Sequence, residues 1–324
     1  MPLARRALAL SALGLAAPGL ARGAEEPFPS RPIRVLIGYP PGGGSDLIAR
    51  PILRALKERL DVPVVIENRG GANGNIAMEM AARAEPDGYT LFKGDIGNLA
   101  FNHVLHADLP FDIQRDFSGI AQLTASPSVF VVPASLPARS LGAFAALARA
   151  RPGVLNFGSG GVGSSPHLFF EVWRRAAAVE VAHIPFRGAA PALQAMLAGD
   201  VQLMIGAYGI FRGAHEAGLV RVLAISSERR HARLPEVPTL REAGFDVALT
   251  GFNGLLAPVR VPAARRQLLE EAIAGVMAAP GVQRAMLDLG SAAAFTPGSA
   301  LDARMREERA FWTRFAREAG IQPD

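Results

Sequence analysis

Four short glycine-rich stretches hold the residues of this chain best placed to do chemistry. The first runs Gly38-Tyr39-Pro40-Pro41-Gly42-Gly43-Gly44-Ser45-Asp46, between a strand-like segment and a helix-like one. Glycines let backbone approach a ligand closely, and a following helix offers unpaired N–H groups and the positive end of its dipole. That chemistry is anion binding, suited to a carboxylate. Capping alone would also explain Ser45 or Asp46 at a helix start. The stretch is not a P-loop, because the spacing and the Lys-Ser/Thr pair are missing. The second stretch is Gly158-Ser159-Gly160-Gly161-Val162-Gly163-Ser164-Ser165-Pro166-His167, again after a strand pattern and before a helix with proline at its start. Gly158, Gly160 and Gly163 satisfy G-x-G-x-x-G, but Glu180 begins the next strand where a dinucleotide site needs its acid at the strand's end. The third and fourth are Gly94-Asp95-Ile96-Gly97-Asn98 and Pro185-Phe186-Arg187-Gly188-Ala189-Ala190. All four sit at the carboxyl ends of predicted strands, where open α/β sheets bind ligands.

Residues arranged for covalent or metal chemistry are not evident. Ser164, Ser165 and His167 are too close in sequence to form a triad by themselves, and no G-x-S-x-G elbow occurs. His167 reads as a first-turn helix residue near the cleft, and His183, inside an apolar strand, as a satisfied core histidine. His103 and His106 have a metal-like spacing, but a pair alone does not hold a metal, and both fall in an expected polar connecting loop. With no cysteine there are no disulfides, thiolate sites or lipid-modified anchor. No cofactor and no metal are expected.

The elements that must position these loops alternate. Strands are predicted over Arg34–Gly38, Val62–Glu67, Thr90–Lys93, Ile120–Leu123, Val129–Val132, Leu155–Gly158, Val181–Pro185, Leu203–Ile205, Val220–Ser226 and Gly254–Ala257. Helices are predicted over Asp46–Leu60, Asn75–Ala84, Leu141–Ala150, Pro166–Ala177 and Pro191–Ala198. Such alternation implies parallel βαβ units, hence an α/β fold. The last stretch, Ala263–Gly320, reads as almost wholly helical, broken at Pro280, Gly281 and Pro297. The series restarts after Pro133 with its own glycine-rich loop, and Phe252–Pro258 forms a late strand that can return to the first unit. Two lobes joined by short crossing strands are therefore expected, with those strands as hinges.

Bulk properties narrow the class. The 324 residues are half hydrophobic and 19% charged, fitting a folded chain with a substantial core. Only Lys57 and Lys93 are lysines, so arginine supplies the other basic residues, and the pI near 10.3 partly reflects that choice. The arginines are scattered; clusters such as Arg229, Arg230 and Arg233 are too small to track phosphates, so no nucleic-acid partner is expected. Arg5 and Arg6, the apolar run from Ala7 to Ala17, and small residues at Ala21, Gly23 and Ala24 read as a cleaved signal peptide over residues 1–24. Removing residues 1–23 takes away Arg5, Arg6 and Arg22 and no acid, leaving +2 of the formal +5. Ala4 precedes the arginine pair where a twin-arginine signal has Ser or Thr, which favours general secretion. No later stretch is long and apolar enough for a membrane helix, so a soluble mature chain is expected; the signal segment places it outside the cytoplasm, and it is expected to be a monomer.

The ordered series Pro29-Ser-Arg-Pro-Ile-Arg34, Tyr39-Pro-Pro-Gly-Gly-Gly-Ser-Asp46, Val64-Val-Ile-Glu-Asn-Arg-Gly-Gly-Ala72, Gly74-Asn-Ile76, Pro86-Asp-Gly-Tyr-Thr-Leu91 and Gly158–His167 continues into Pro185-Phe-Arg-Gly-Ala-Ala-Pro-Ala-Leu193, Leu234-Pro-Glu-Val-Pro-Thr239, Glu242-Ala-Gly244 and Gly254-Leu-Leu-Ala-Pro258. In these segments the chain resembles the Bug family, the extracytoplasmic receptors of tripartite tricarboxylate transporters, over essentially its whole mature length. The resemblance implies a type II periplasmic-binding-protein fold with a ligand cleft between lobes, residues 25–126 and 251–324 forming one and 127–250 the other. It implies a periplasmic receptor, not an enzyme, that holds a small carboxylate through backbone N–H groups and ordered water and delivers it to cytoplasmic-membrane transporter subunits. By position the ligand loops supply Tyr39, Pro41, Gly42, Gly43, Ser45, Asp46, Gly94, Asp95, Asn98, Ser159, Gly160, Gly163, Ser164, Ser165, Phe186, Arg187, Gly188 and Ala189. Three departures bear on specificity: Ile205-Gly206-Ala207 where Phe-Asp-Asn is common, Asp95-Ile-Gly-Asn98 where Thr-Ser-Gly-Thr is common, and Val162 where Asn is usual. Asp95 can then meet an ammonium or hydroxyl, favouring an amino or hydroxylated acid over citrate, or it can cap a helix outside the pocket. Two other functions fit such a chain: an accessory that presents ligand to a membrane sensor kinase, and a secreted hydrolase.

Overall fold

In a computed structural model that describes residues 27–319 except 107, together with 321, the chain is built on two β-sheets. The expected signal segment, residues 1–24, lies outside the described residues. In chain order, β1 (Ile33–Ile37) feeds α1 (Gly44–Leu60), followed by β2 (Val64–Asn68), α2 (Asn75–Ala82) and β3 (Thr90–Asp95). A π-helical turn (Gly97–Phe101) runs into α3 (Asn102–Leu105), and then come α4 (Ile113–Asp116) and β4 (Phe117–Ser126). The second sheet is reached through β5 (Val129–Pro133), α5 (Leu141–Ala150), β6 (Asn156–Ser159), α6 (Ser165–Ala177) and β7 (Ala182–Pro185). It is completed by α7 (Ala189–Ala198), β8 (Leu203–Gly206), α8 (Tyr208–Glu216) and β9 (Val220–Ile225). The chain returns with β10 (Gly251–Pro258), α9 (Ala263–Ala278), α10 (Pro280–Asp288), β11 (Ala292–Pro297) and α11 (Gly298–Ala319).

Local sequence explains the layers. In β1, Ile33, Val35 and Ile37 alternate with Arg34 and Leu36, and pack beneath the Ile48, Ile52 and Leu56 stripe of α1. That stripe recurs every four residues, as a helix face requires. Leu36 and Phe92 point to the opposite side, into a second cluster holding Phe101, Trp312, Phe170 and Trp173. Both faces of this sheet are therefore covered, which is the arrangement parallel strands need.

The six-stranded sheet has the order β11-β4-β10-β3-β1-β2 and the five-stranded one β7-β6-β8-β5-β9. Only part of each is parallel as predicted: β1 with β2 and β3, and β6 with β7 and β8. β10 runs antiparallel to β3 and β4, and β5 antiparallel to β8 and β9. The cause is the double crossing. β4 and β9 run toward the gap between the sheets, and β5 and β10, entering from it, must run away. A second correction lies in the C-terminal stretch, where residues 292–297 form a strand rather than helix. Ala292–Ala294 favour helix by propensity, but pairing with the β4 edge overrides it, reinforced by Gln122 Nε2 donating to Ala294 O (3.0 Å). Nor is the 103–106 segment a polar loop throughout. His103 lies in α3, its Nε2 2.8 Å from Thr313 Oγ1 of α11, and burial pushes its pKa down to about 4.

Candidate functional site

A cavity of about 100 Å³ lies between the carboxyl edges of the two sheets. Four helices begin at its wall: α1 at Gly43, Gly44 and Ser45, α6 at Ser164 and Ser165, α7 at Gly188 and Ala189, and α8 at Gly206 and Ala207. First-turn amides have no intrahelical acceptor, and the helix dipoles place their positive ends at the same surface. Hydroxyls of Tyr39, Ser45, Ser126, Ser128, Ser164 and Ser165 add polar groups, while Ile48, Phe169, Ile210 and Phe252 make apolar walls. The crossing segments form the floor through Ser126-Pro127-Ser128 and Gly251-Phe252-Asn253. At this size the space suits a small molecule, well below the roughly 300–1,000 Å³ of sites for drug-sized ligands.

Of the residues singled out by sequence, Tyr39, Gly43, Ser45, Asp95, Gly160, Ser164, Ser165, Gly188 and Ala189 line this cavity. Phe186 and Arg187 instead line an outer cavity that shares Tyr39, Pro40, Gly160 and Gly188 with it and also contains Val162. Pro41, Gly42, Asp46, Gly94, Asn98, Ser159 and Gly163 lie off the inner wall, where several of them brace the loops. Asp46 is fully buried and caps no helix; α1 starts from Gly43 without a side-chain cap. Its carboxylate accepts from Gly42 N (2.8 Å), Arg50 Nε (2.8 Å) and Asn68 Nδ2 (3.1 Å). Burial alone would raise its pKa, but those hydrogen bonds and the Arg50 charge outweigh it and hold the carboxyl below its usual range. Asn98 Oδ1 accepts from Asp95 N (2.9 Å), shaping the third loop.

Asp95 does face the cavity, and it also turns its own loop by accepting from Gly97 N (3.0 Å). The Tyr39 hydroxyl donates toward the same Asp95 oxygen (3.2 Å) and toward Asn73 Oδ1 (2.8 Å), and the Ser165 side chain of the other lobe hydrogen-bonds Asp95 as well. Burial raises the Asp95 pKa, opposed by the charge of Lys93 and by the Gly97, Tyr39 and Ser165 hydrogen bonds. Burial and the Asp95 charge together push the Tyr39 phenol well above its ordinary value.

The two lobes meet along backbone. Asn73 Nδ2 donates to Gly163 O across the gap (2.8 Å). A Cβ placed on Gly44 would lie 3.3 Å from Ala207 Cβ and 3.5 Å from Ile210 Cδ1. Gly188 is held at φ +115°, and a Cβ there would reach 3.3 Å from Pro40 Cγ. A side chain at either position would press tightly on the other lobe, and at Gly188 the positive φ adds backbone strain.

A serine–histidine hydrogen bond does exist: Ser159 Oγ lies 2.7 Å from His183 Nε2. It sits behind the wall, with Ser159 buried and also bonded to Gly161 O and N (3.0 and 3.1 Å). His183 is half-buried, stacks on His167 at 4.1 Å, and has its pKa pushed by burial and the His167 charge down to about 3. His167 Nδ1 accepts from Gly163 N (3.1 Å), fixing the second loop. These contacts brace a loop and do not aim a nucleophile into the cavity.

Sequence reading missed the floor and Lys93, whereas Gly206 and Ala207 at the α8 start, named there as a departure bearing on specificity, do line the cavity. The serines of Ser126-Pro127-Ser128 sit at the expected lobe boundary, and a boundary that crosses a cleft is itself the signal. Lys93 shares a strand face with Leu91, beneath α1; a lone lysine on such a face was legible but not weighed.

The family described as TctC, the tripartite tricarboxylate transporter family receptor, matches residues 48–315. A UPF0065 protein encoded in the tcbD–tcbE intergenic region of Pseudomonas sp. strain P51 is 38% identical over 290 residues, 88% of this chain and 85% of that one. The structure superposes with a TM-score of 0.88 on an R. palustris protein solved with adipate, 29% identical, covering 92% of this chain and all of the other. A Rhodopseudomonas palustris protein with bound malate, MatC, gives 0.82 at 30% identity, with 89% and 99% covered.

Proposed function

Because the chain belongs to the receptor family of the tripartite tricarboxylate transporters, we propose that it is a periplasmic receptor that closes two lobes over one small carboxylate and performs no chemical step on it. The observation that carries this reading is the convergence of four helix starts, α1 from one side of the chain's crossings and α6, α7 and α8 from the other, on one cavity. Helix dipoles and first-turn amides stabilise an anion, and each hydrogen bond to a charged group in such a site contributes roughly 1.5–3 kcal/mol. We assign residues 25–126 and 251–324 to one lobe and 127–250 to the other, because the two sheets draw their strands from those ranges. Delivery to cytoplasmic-membrane transporter subunits and export by a cleaved leader at residues 1–24 belong to the same proposal.

The relatives bound to adipate and malate support a carboxylate as the ligand class. Within that class we assign direct contacts to Tyr39, Gly43, Ser45, Gly160, Ser164, Ser165, Gly188 and Ala189. Asp95 has the opposite polarity and would repel a second carboxylate, so we infer that it receives a hydroxyl or ammonium of the ligand. The small cavity and apolar walls fit a hydroxy or amino acid better than a tricarboxylate.

A thermal-shift screen of carboxylates beside their neutral amides tests the reading. A binding acid at a hundred times its Kd adds about 2.7 kcal/mol and raises the melting temperature by several degrees. The matched amide leaves it unchanged. Equal shifts from acid and amide, or hydrolysis of any amide in the same panel, would sink the proposal.

A further inference from the structure

We propose that Lys93 is a positioning residue for the bound carboxylate: its ammonium, hidden under the cavity floor, fixes Ser45 and Asn253 so that the Ser45 hydroxyl donates into the cavity and the ligand's charge becomes its counter-ion. This rests on the carboxylate-receptor reading and goes beyond it by naming a cation for the inner cavity, whose lining holds no Lys or Arg.

The geometry is complete on the protein side. Lys93 is fully buried on β3, and its Nζ donates to Ser45 Oγ (2.6 Å), to Ser45 O (3.0 Å) and to Asn253 Oδ1. Three ammonium hydrogens thus meet three neutral acceptors. Ser45 and Asn253 both line the cavity, one from the start of α1 and the other from β10. Since Ser45 Oγ accepts from the ammonium, its own proton is free to point the other way, toward a guest. Asn253 Nδ2 is committed to Thr124 Oγ1 (2.9 Å) and Ser126 Oγ (3.0 Å), so the same lysine also sets the floor hydroxyls.

No carboxylate touches the ammonium directly: its three contacts are all neutral, and the nearest acids act on it only through space. A buried ammonium is costly unless paired, and a well-packed apolar side chain would serve the fold better. The ionisable groups acting on Lys93 are Asp95, two positions along its own strand, and Asp46, next to Ser45 on α1, whose carboxylate is held by Arg50, Asn68 and Gly42. β10 presents only the neutral Asn253. Burial pushes the Lys93 pKa down to about 8, opposed by those two carboxylates, so the ammonium survives at neutral pH but is easily lost above it. A carboxylate entering the cavity stabilises the charged form and raises that pKa; by linkage, its affinity falls as pH rises past about 8.

The chain offers an unusually clean test, because Lys57 and Lys93 are its only lysines and Lys57 is exposed on α1. Full-length mature protein labelled with 13Cε-lysine shows two side-chain signals, assigned with Lys57→Arg, each titrated from pH 6 to 11. The probes are acetate, L-lactate, L-malate, L-alanine and adipate, preselected by thermal shift. The expected result is that a probe that stabilises the protein moves the Lys93 midpoint upward by about one pH unit or more and leaves Lys57 unmoved. Lys93→Met then weakens that probe on the order of 30-fold or more and abolishes the pH dependence above 8, while Lys93→Arg, which keeps the charge, retains more affinity than Met. A stabilising probe that leaves the Lys93 midpoint in place, and binds Lys93→Met within about twofold, overturns the role of Lys93 while the receptor reading stands. If none of the probes stabilises the protein, the receptor reading itself fails and takes this role with it. The titration needs no variant at the site, so a misfolded Lys93→Met does not blunt it.

Discussion

At the scale of single residues, the cleft places opposite ionisable groups two positions apart on one strand. Lys93 and Asp95 both carry shifted pKa values, and burial drives each toward neutrality. Their consequences for the empty protein and for binding have opposite signs. Lys93 has a folded-state pKa near 8, below the lysine value expected when unfolded. Between those values the unfolded chain holds the proton and the folded one does not, so stability rises with pH in that window. Denaturant titrations of ligand-free protein should therefore give wild type a gain in stability from pH 8 to 10 that Lys93→Met lacks. Over the same interval affinity for a carboxylate falls. A wild type that loses stability there in parallel with Lys93→Met would contradict the shifted lysine.

At the scale of elements, the loop between β1 and α1 is tied together by Asp46. Replacing it with Ala strands Gly42 N and one hydrogen of Asn68 Nδ2, which keeps its bond to Tyr39 O, and should cost about 1–3 kcal/mol in urea denaturation at pH 7. Because its carboxyl lies below the ordinary range, that contribution is present at neutral pH and is lost as pH falls through the folded value, so wild type and Asp46→Ala should converge in acid. Gly43→Val tests the neighbouring position differently. Its φ of −72° accepts a side chain and a Cβ would make only ordinary contact with Pro40 O at 3.4 Å, so the fold should hold while calorimetry shows binding weakened by about tenfold or more. Elements of this kind were largely legible in sequence. Periodicity marked β1, α1 and α6, and glycine spacing marked where the loops fall. What was not legible came from tertiary pairing: β11 hides in an alanine-rich helix-like string, and the reversed direction of β5 and β10 follows only from crossing twice. Half the named site residues line the cavity for the same reason. Sequence locates a loop, but which atoms of it face inward is decided by partners such as Arg50 and Asn68, far along the chain.

At the scale of the whole molecule, a side-chain bond ties one lobe to the other. The Asn73 Nδ2 to Gly163 O bond reaches from one lobe to the other beside a seam of glycines at 44 and 188. Asn73→Gly keeps the left-handed backbone found at φ +48° while removing this donor, and with it the acceptor of the Tyr39 hydroxyl and the bond to Asn102 Oδ1. It should shift the population toward the open form and weaken carboxylate binding by at least about fivefold, one hydrogen bond near 1 kcal/mol setting the lower bound, mostly through faster dissociation. Small-angle scattering of the ligand-free variant should give a radius of gyration no smaller than that of wild type, and saturating ligand should contract both. The segments Ser126-Pro127-Ser128 and Gly251-Phe252-Asn253 line the cavity where the chain crosses between the two sheets, so in the proposed receptor the pivot between the lobes and the bed for a guest coincide. Occupancy and bend angle are thus written in the same atoms. A docking surface that senses the angle reads the cargo without touching it, and a substitution that stiffens the pivot would counterfeit a loaded receptor with nothing inside.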